Sequence, residues 1–196
     1  MGRPRTFDES EVLLAAMKVF WAKGYDGASL KDLTKAMGIS GPSMYAAFGD
    51  KRELYLKTID RYADVDACEP VLAFESEQDI KKAVKDFLST IIKHATQQSG
   101  GANGCFLATC VISNVDEVEG VSQRLKKAID DTDFRLAARF DLEKEKGTLP
   151  TDFPSLDRAR LLFDLRQGYV FRGRAGLTEE TLRADIDART NMVLLF

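Results

Sequence analysis

Polar and apolar positions alternate with a helical period along nearly the whole chain. Val12, Ala16, Val19 and Phe20 predict a first helix from about Glu9 to Lys23, closed by a left-handed cap at Gly24. Leu30, Leu33 and Met37 share one face of a short second helix, Leu30 to Met37. Gly38-Ile39-Ser40 then forms a tight turn. Ser40 caps a third helix, which carries Gly41 and Pro42 in its first turn and ends near Phe48. A fourth helix opens at Asp50. Asp8 with Glu11, Ser29 with Asp32, and Asp50 with Glu53 each place a capping oxygen three residues before a carboxylate, which satisfies the free N–H groups of a helix start. Further along, long helices are predicted over Asp79 to Gln98 and Val118 to Lys146. Between them lie a Gly/Ser/Asn-rich loop, Gln97 to Asn103, and a short apolar helix, Cys105 to Ser113, which should be buried. Gly147 to Pro154 is a loop. Two final helices, Leu156 to Phe171 and Thr178 to Leu195, are split by Gly173 and Gly176. Strand-type alternation of Val, Ile and Thr is hard to find. The expected class is all-α, with about nine helices.

Composition narrows the functions. The 196 residues suffice for one large domain or two small ones, and 44% apolar residues is ordinary for a globular chain. No apolar run approaches a membrane span, and Met1-Gly2-Arg3-Pro4-Arg5 has no stretch to act as a signal peptide, so a reducing cytoplasm is expected. Three Cys at irregular spacing do not make a disulfide scaffold, and one His without a paired-Cys motif leaves few options for a metal; no cofactor is expected. The net charge of −3 conceals a division. Residues 1–62 carry ten basic and eight acidic side chains, against 18 and 23 in the remainder. That fits a nucleic-acid-binding head on an acidic body.

Two short helices joined by a three-residue glycine turn make a helix-turn-helix. Gly38 takes a backbone conformation that a side chain would resist, and Ile39 plugs the gap between the helices. Met44 and Phe48, four apart, face inward and hold the third helix rigid. The opposite face presents Gly41, Pro42, Ser43, Tyr45, Ala46 and Ala47 to a DNA major groove, with Ser40 at its leading end.

Those residues carry a resemblance. Gly24-Tyr25, Ser29-Leu30 and the run from Met37 to Leu54 resemble the N-terminal domain of tetracycline-repressor-like (TetR/AcrR) transcriptional regulators over about the first 60 residues. The resemblance implies a homodimer on a pseudo-palindromic double-stranded operator, usually a repressor, with an effector pocket in the rear helices. It implies DNA contacts by Ser29, Ser43, Tyr45 and Lys51, mostly to phosphate. Ala46-Ala47 depart from the bulkier residues often found there, so base readout by this helix should be lean. The arm offers compensation: Arg3 and Arg5 suit a narrow minor groove, or the arm is a tail without fixed structure. The division expected is 1–50 for the DNA-binding head, 51–66 for a connecting helix four, and 67–196 for effector binding and dimerisation.

In the rear part, Phe87, Ile91, Phe106, Cys110, Leu136, Phe140, Phe163 and Tyr169 are candidates for a mainly apolar effector pocket, or ordinary core. Leu162, Leu165, Tyr169, Leu182, Ile186, Val193 and Leu194 supply apolar surface for pairing with a second copy, with Arg166, Arg172, Arg174 and Arg189 as a charged rim or solvated. Cys105 is a candidate redox or electrophile sensor, or a small buried residue. It cannot bridge Cys110 within one helix, since five positions place them about 140° apart. Cys68 reads as an incidental near-surface thiol. His94 has no third group to orient it as a base, so an enzyme is not expected. Two alternatives to the ligand-responsive repressor are a regulator sensing oxidants at Cys105 and a helical dimer module binding a protein partner.

Overall fold

The computed structural model describes residues 7–66, 69–97 and 104–195. The arm with Arg3 and Arg5, the Cys68 position and most of the Gln97–Asn103 loop lie outside them. The described residues are helical with no strand. In order, the helices are α1 (Glu9–Gly27), α2 (Leu30–Met37), α3 (Gly41–Phe48), α4 (Lys51–Arg61), α5 (Glu69–Ser76), α6 (Ile80–Thr96), α7 (Val121–Glu145), α8 (Ser155–Arg174), α9 (Glu179–Arg183) and α10 (Ile186–Leu194).

The first four helix starts have their caps, whereas α7 and α8 begin without a side-chain cap. Asp8 accepts from the N–H groups of Ser10 and Glu11. Ser29/Asp32 and Asp50/Glu53 close reciprocal capping boxes. Gly38 ends α2 in the left-handed region, φ 65° and ψ 23°. Gly24 also has a positive φ, 74°, but only kinks α1, which continues to Gly27. α5 has no counterpart in the hydrophobic pattern; its eight residues hold Pro70, Val71 and Phe74 against the core. The apolar segment after Cys105 is buried at Phe106, Leu107, Cys110 and Val111 but exposes Ile112 and Ser113, and it winds as a π turn over Leu107–Val111 and a 3-10 turn over Ile112–Asn114. The predicted C-terminal helix is interrupted into α9 and α10.

Gly173 does not break its helix. It lies inside α8, where an added Cβ would sit 2.5 Å from the Ala95 carbonyl oxygen of α6. The glycine therefore permits close approach of two helices rather than a turn. α6, α7 and α8 form the body's main layer, with α10 against α6 and α8. One hydrophobic cluster runs without interruption from Val12 in α1 to Val193 in α10. Leu162, Tyr169, Leu182, Ile186 and Val193 belong to it. They are packed within the chain, contrary to the expectation that they form an outer pairing face. The large apolar side chains that α8 to α10 and the following residue leave exposed are Leu156, Phe171, Met192 and Leu195.

Candidate DNA-binding face and effector cavity

The helix-turn-helix is assembled from the inside. Leu33, Met37, Met44 and Phe48 are buried, and Ile39 in the turn packs on the same cluster. Anchored by Met44 and Phe48, α3 leaves Pro42, Tyr45 and Ala46 exposed, with Gly41 and Ser43 half-buried. Ala47 differs from the expectation: it packs against the core rather than facing outward. Ser40 Oγ accepts from the Ser43 N–H at 3.2 Å and lies 2.8 Å from Ser43 Oγ. Ser29 Oγ donates to Asp32 at 2.7 Å. These hydroxyls are occupied by caps, yet they sit at exposed helix starts whose dipoles favour an anion.

Lys51, at the first turn of α4, holds its ammonium over the Tyr25 ring, 4.6 Å from the centroid. Burial, aided by the negative charges of Asp50 and Asp26, raises the Tyr25 phenol above its ordinary pKa, so the ring stays neutral under the cation. Ser29, Ser40, Ser43, Tyr45 and Lys51 thus stand on three helices fixed by one small core. A surface of hydroxyls, helix N-termini and one ammonium suits phosphates.

Behind the head lies a cavity of about 1390 Å³ between α4, the π turn, α7 and α8. Its walls include Ile59 of α4, Leu125, Ala128 and Ile129 of α7, and Phe163 and Arg166 of α8. Phe134 and Phe171, both largely exposed, stand at its mouth. Of the eight pocket candidates, only Phe163 lines it. Phe87, Phe106, Leu136, Phe140 and Tyr169 are fully buried core, and Cys110 is nearly so. Ile91 borders only a small void of about 30 Å³. The reason is geometric: the most apolar helical positions point into the close-packed seam, whereas the cavity is lined by flanking positions of mixed polarity. Arg166 is likewise not a rim residue, since it is 5% exposed.

Head and cavity share atoms. Trp21 Nε1 of α1 donates to Thr109 Oγ1 of the cavity wall at 3.1 Å. Cys110 Sγ donates to the Phe20 carbonyl at 3.2 Å. Asn114 donates to the Cys110 carbonyl at 2.9 Å and to the Tyr55 hydroxyl of α4 at 3.3 Å. Burial drives the Tyr55 phenol far above its usual range, and the Cys110 thiol is raised for the same reason. Both groups are therefore neutral hydrogen-bonding parts of a buried joint, with Phe106 edge-on against Tyr55 and Tyr62. Asp60 of α4, itself on the cavity wall, pairs with Arg124 of α7 at 2.9 Å. The sequence pattern missed this joint. A Trp and an Asn within apolar stretches were its only trace.

Cys105 and Cys110 are both reduced and buried. Cys105 lines the cavity, and the Arg166 guanidinium lies 3.6 Å from its sulfur. The exposed His94 faces Glu69 at 3.5 Å. Among the described residues, no group of three His, Cys, Asp or Glu side chains is placed to hold a metal, and no helix is long and apolar enough to cross a membrane.

Comparison with known proteins agrees with this geometry. Residues 12–58 match the family of bacterial regulatory proteins described as the tetR family. The chain is 29% identical over 182 residues to the HTH-type transcriptional repressor ComR of Escherichia coli strain K12, covering 92% of this chain and 86% of that protein. It is 26% identical over 196 residues to the HTH-type transcriptional regulator YezE of Bacillus subtilis strain 168, covering 98% and 100%. Its fold is similar to a cysteine mutant of the TetR family transcriptional regulator CifR complexed with 26bp double-strand operator DNA, with a TM-score of 0.84, 26% identity, and 96% and 98% of the two chains covered.

Proposed function

We propose that this chain, a transcriptional regulator of the tetR family, is a ligand-responsive repressor acting in the cytoplasm as a homodimer on a pseudo-palindromic operator. The head, 1–50, binds DNA; helix four, 51–66, connects it to an effector-binding and dimerising body, 67–196. The observation that carries the reading is the shared construction of the two sites. α4 begins at Lys51 on the DNA-facing side and presents Ile59 and Asp60 to the cavity.

In the proposed complex, α3 enters the major groove with Pro42, Tyr45 and Ala46 foremost. Gly41 permits close approach, while Ser29, Ser40, Ser43 and Lys51 hold phosphates, and Arg3 and Arg5 reach the neighbouring minor groove. An effector that fills the cavity moves α4 or the Thr109–Trp21 contact, and so changes the spacing of the two heads. It acts only through unequal affinity for the two forms. A coupling of roughly 1–3 kcal/mol changes operator affinity about 5–150-fold. The relatives ComR and CifR, a named repressor and a regulator complexed with operator DNA, support the reading.

The test is binding of labelled duplex DNA by anisotropy at rising salt, with sedimentation to count copies. The logarithm of affinity should fall by roughly 0.9 per phosphate contacted for each tenfold rise in salt. Salt-independent binding, or a single copy on DNA, would contradict it. One observation favours a second reading, that Cys105 senses electrophiles or oxidants: its sulfur borders an open cavity beside a cation. Loss of operator binding on oxidant treatment, abolished in Cys105→Ser, would select that reading over simple ligand release.

A further inference from the structure

Arg166 is the unusual charge of this fold. It projects from α8 into the cavity at 5% exposure. A buried guanidinium is normally matched by a carboxylate, because the interior cannot replace its hydration otherwise. Arg139, the other arginine buried to this degree among the described residues, follows that rule and pairs with Glu143. Arg166 does not. Its hydrogen bond goes to a weak acceptor, Cys105 Sγ, at 3.6 Å, and the Phe163 ring lies 5.6 Å from the guanidinium carbon. Its Nε is buried with no hydrogen-bond partner. The next residue repeats the feature: Gln167 Oε1 is buried, unpartnered and on the same cavity wall. Of the cavity's three carboxylates, Asp60 is paired with Arg124 and Asp131 with Lys127 on the same wall, and Asp64 makes no ion pair with Arg166.

We propose that the cavity binds an amphipathic carboxylate, whose anionic head takes the vacant side of the Arg166 guanidinium while its apolar body lies along Leu125, Ala128, Ile129 and Phe163. A guanidinium presents paired N–H donors that match a carboxylate in one plane. Gln167, turned by half a rotation of its amide, adds an N–H to the same head. The ligand supplies the counter-charge that Arg166 lacks, which makes the cavity selective for anions although its walls are of mixed polarity. This rests on the effector reading above for its biological sense, but not for the binding itself.

The probe pair is octanoate and 1-octanol, equal in length and differing in charge. Calorimetric titration into the full chain should show octanoate bound roughly 10–150-fold more tightly than octanol. In Arg166→Gln that preference should disappear, with octanol binding retained as the check that the cavity is intact. In Cys105→Ser the preference should persist. Equal binding of the two probes by the wild type, no binding of either, or an octanoate preference that survives in Arg166→Gln would overturn the proposal. Octanoate that binds with Arg166 dependence yet leaves operator affinity unchanged would uphold the anion site and count against the effector reading.

Discussion

Replacing Gly173 by Ala separates two opposing effects within one helix. Alanine is favoured over glycine in a helix interior by about 1 kcal/mol. Gly168 and Gly173 both lie in α8, so the gain applies to both. Around Gly168 an added Cβ meets nothing within 4 Å. At Gly173 it would meet the Ala95 carbonyl oxygen at 2.5 Å, its Cβ at 2.8 Å and its carbonyl carbon at 2.9 Å. Ordinary contact begins near 3.4 Å, so α8 must retreat from α6 by about 1 Å at this point. Two of the three atoms are backbone and cannot rotate away. Overpacking costs typically about 1–3 kcal/mol, and a backbone obstacle belongs at the upper end. After the helix gain, Gly173→Ala should lose about 2 kcal/mol, or roughly 4–8 °C in Tm at this chain length. Gly168→Ala should gain up to about 1 kcal/mol. Circular-dichroism melts of the two variants, each at two protein concentrations to expose any dimer contribution, are the assay. If Gly173→Ala proved as stable as Gly168→Ala, the close approach of α6 and α8 would be wrong.

Phe106→Ala should lose about 3–5 kcal/mol of stability and shift the emission of Trp21, because the fully buried ring touches Trp21, Tyr55 and Tyr62 at the joint between head and cavity; unchanged denaturant midpoints would contradict this. Lys51→Gln should weaken binding to all duplex sequences alike and reduce the steepness of the log–log salt dependence by about 0.9, one phosphate contact, as measured by anisotropy. The Lys23 ammonium and the Ser29 hydroxyl and N–H hold the Asp32 carboxyl down to about 2, against an ordinary 3.8. The α2 capping contribution should therefore be complete above about pH 4 and lost as the pH falls through 2. A carbon-detected titration with a midpoint near 3.8 would refute it.

The head was legible because its determinants are local. The N-caps, the Gly38 turn and the four-residue spacing of Met44 and Phe48 act within a few positions, and each of them stands in the structure where the pattern put it, unlike the Gly24 cap. The body was legible as helices but not as a site. Phe87, Phe140 and Tyr169 announce burial, and burial is what they have; nothing in a helical period distinguishes a packed seam from a cavity wall. Arg166 shows the limit most clearly. On a strongly charged helix it resembles its neighbours Arg172 and Arg174, and only its position relative to Cys105 and Phe163, 61 and three residues away, marks it as an inward charge. The short α5 was missed because eight residues beginning near a proline carry too little period to register. The Trp21–Thr109 bond spans 88 residues, a separation that no local pattern encodes.

In the proposed complex, α3 and its flanking phosphate anchors read duplex DNA in matched pairs. The decisive measurement is selection of bound sites from random double-stranded DNA. Two inverted half-sites should emerge, with centres about one helical turn, roughly 34–36 Å, apart or a simple multiple of that. Recovery of no shared sequence, or of a lone half-site bound by one copy of the chain, would contradict it.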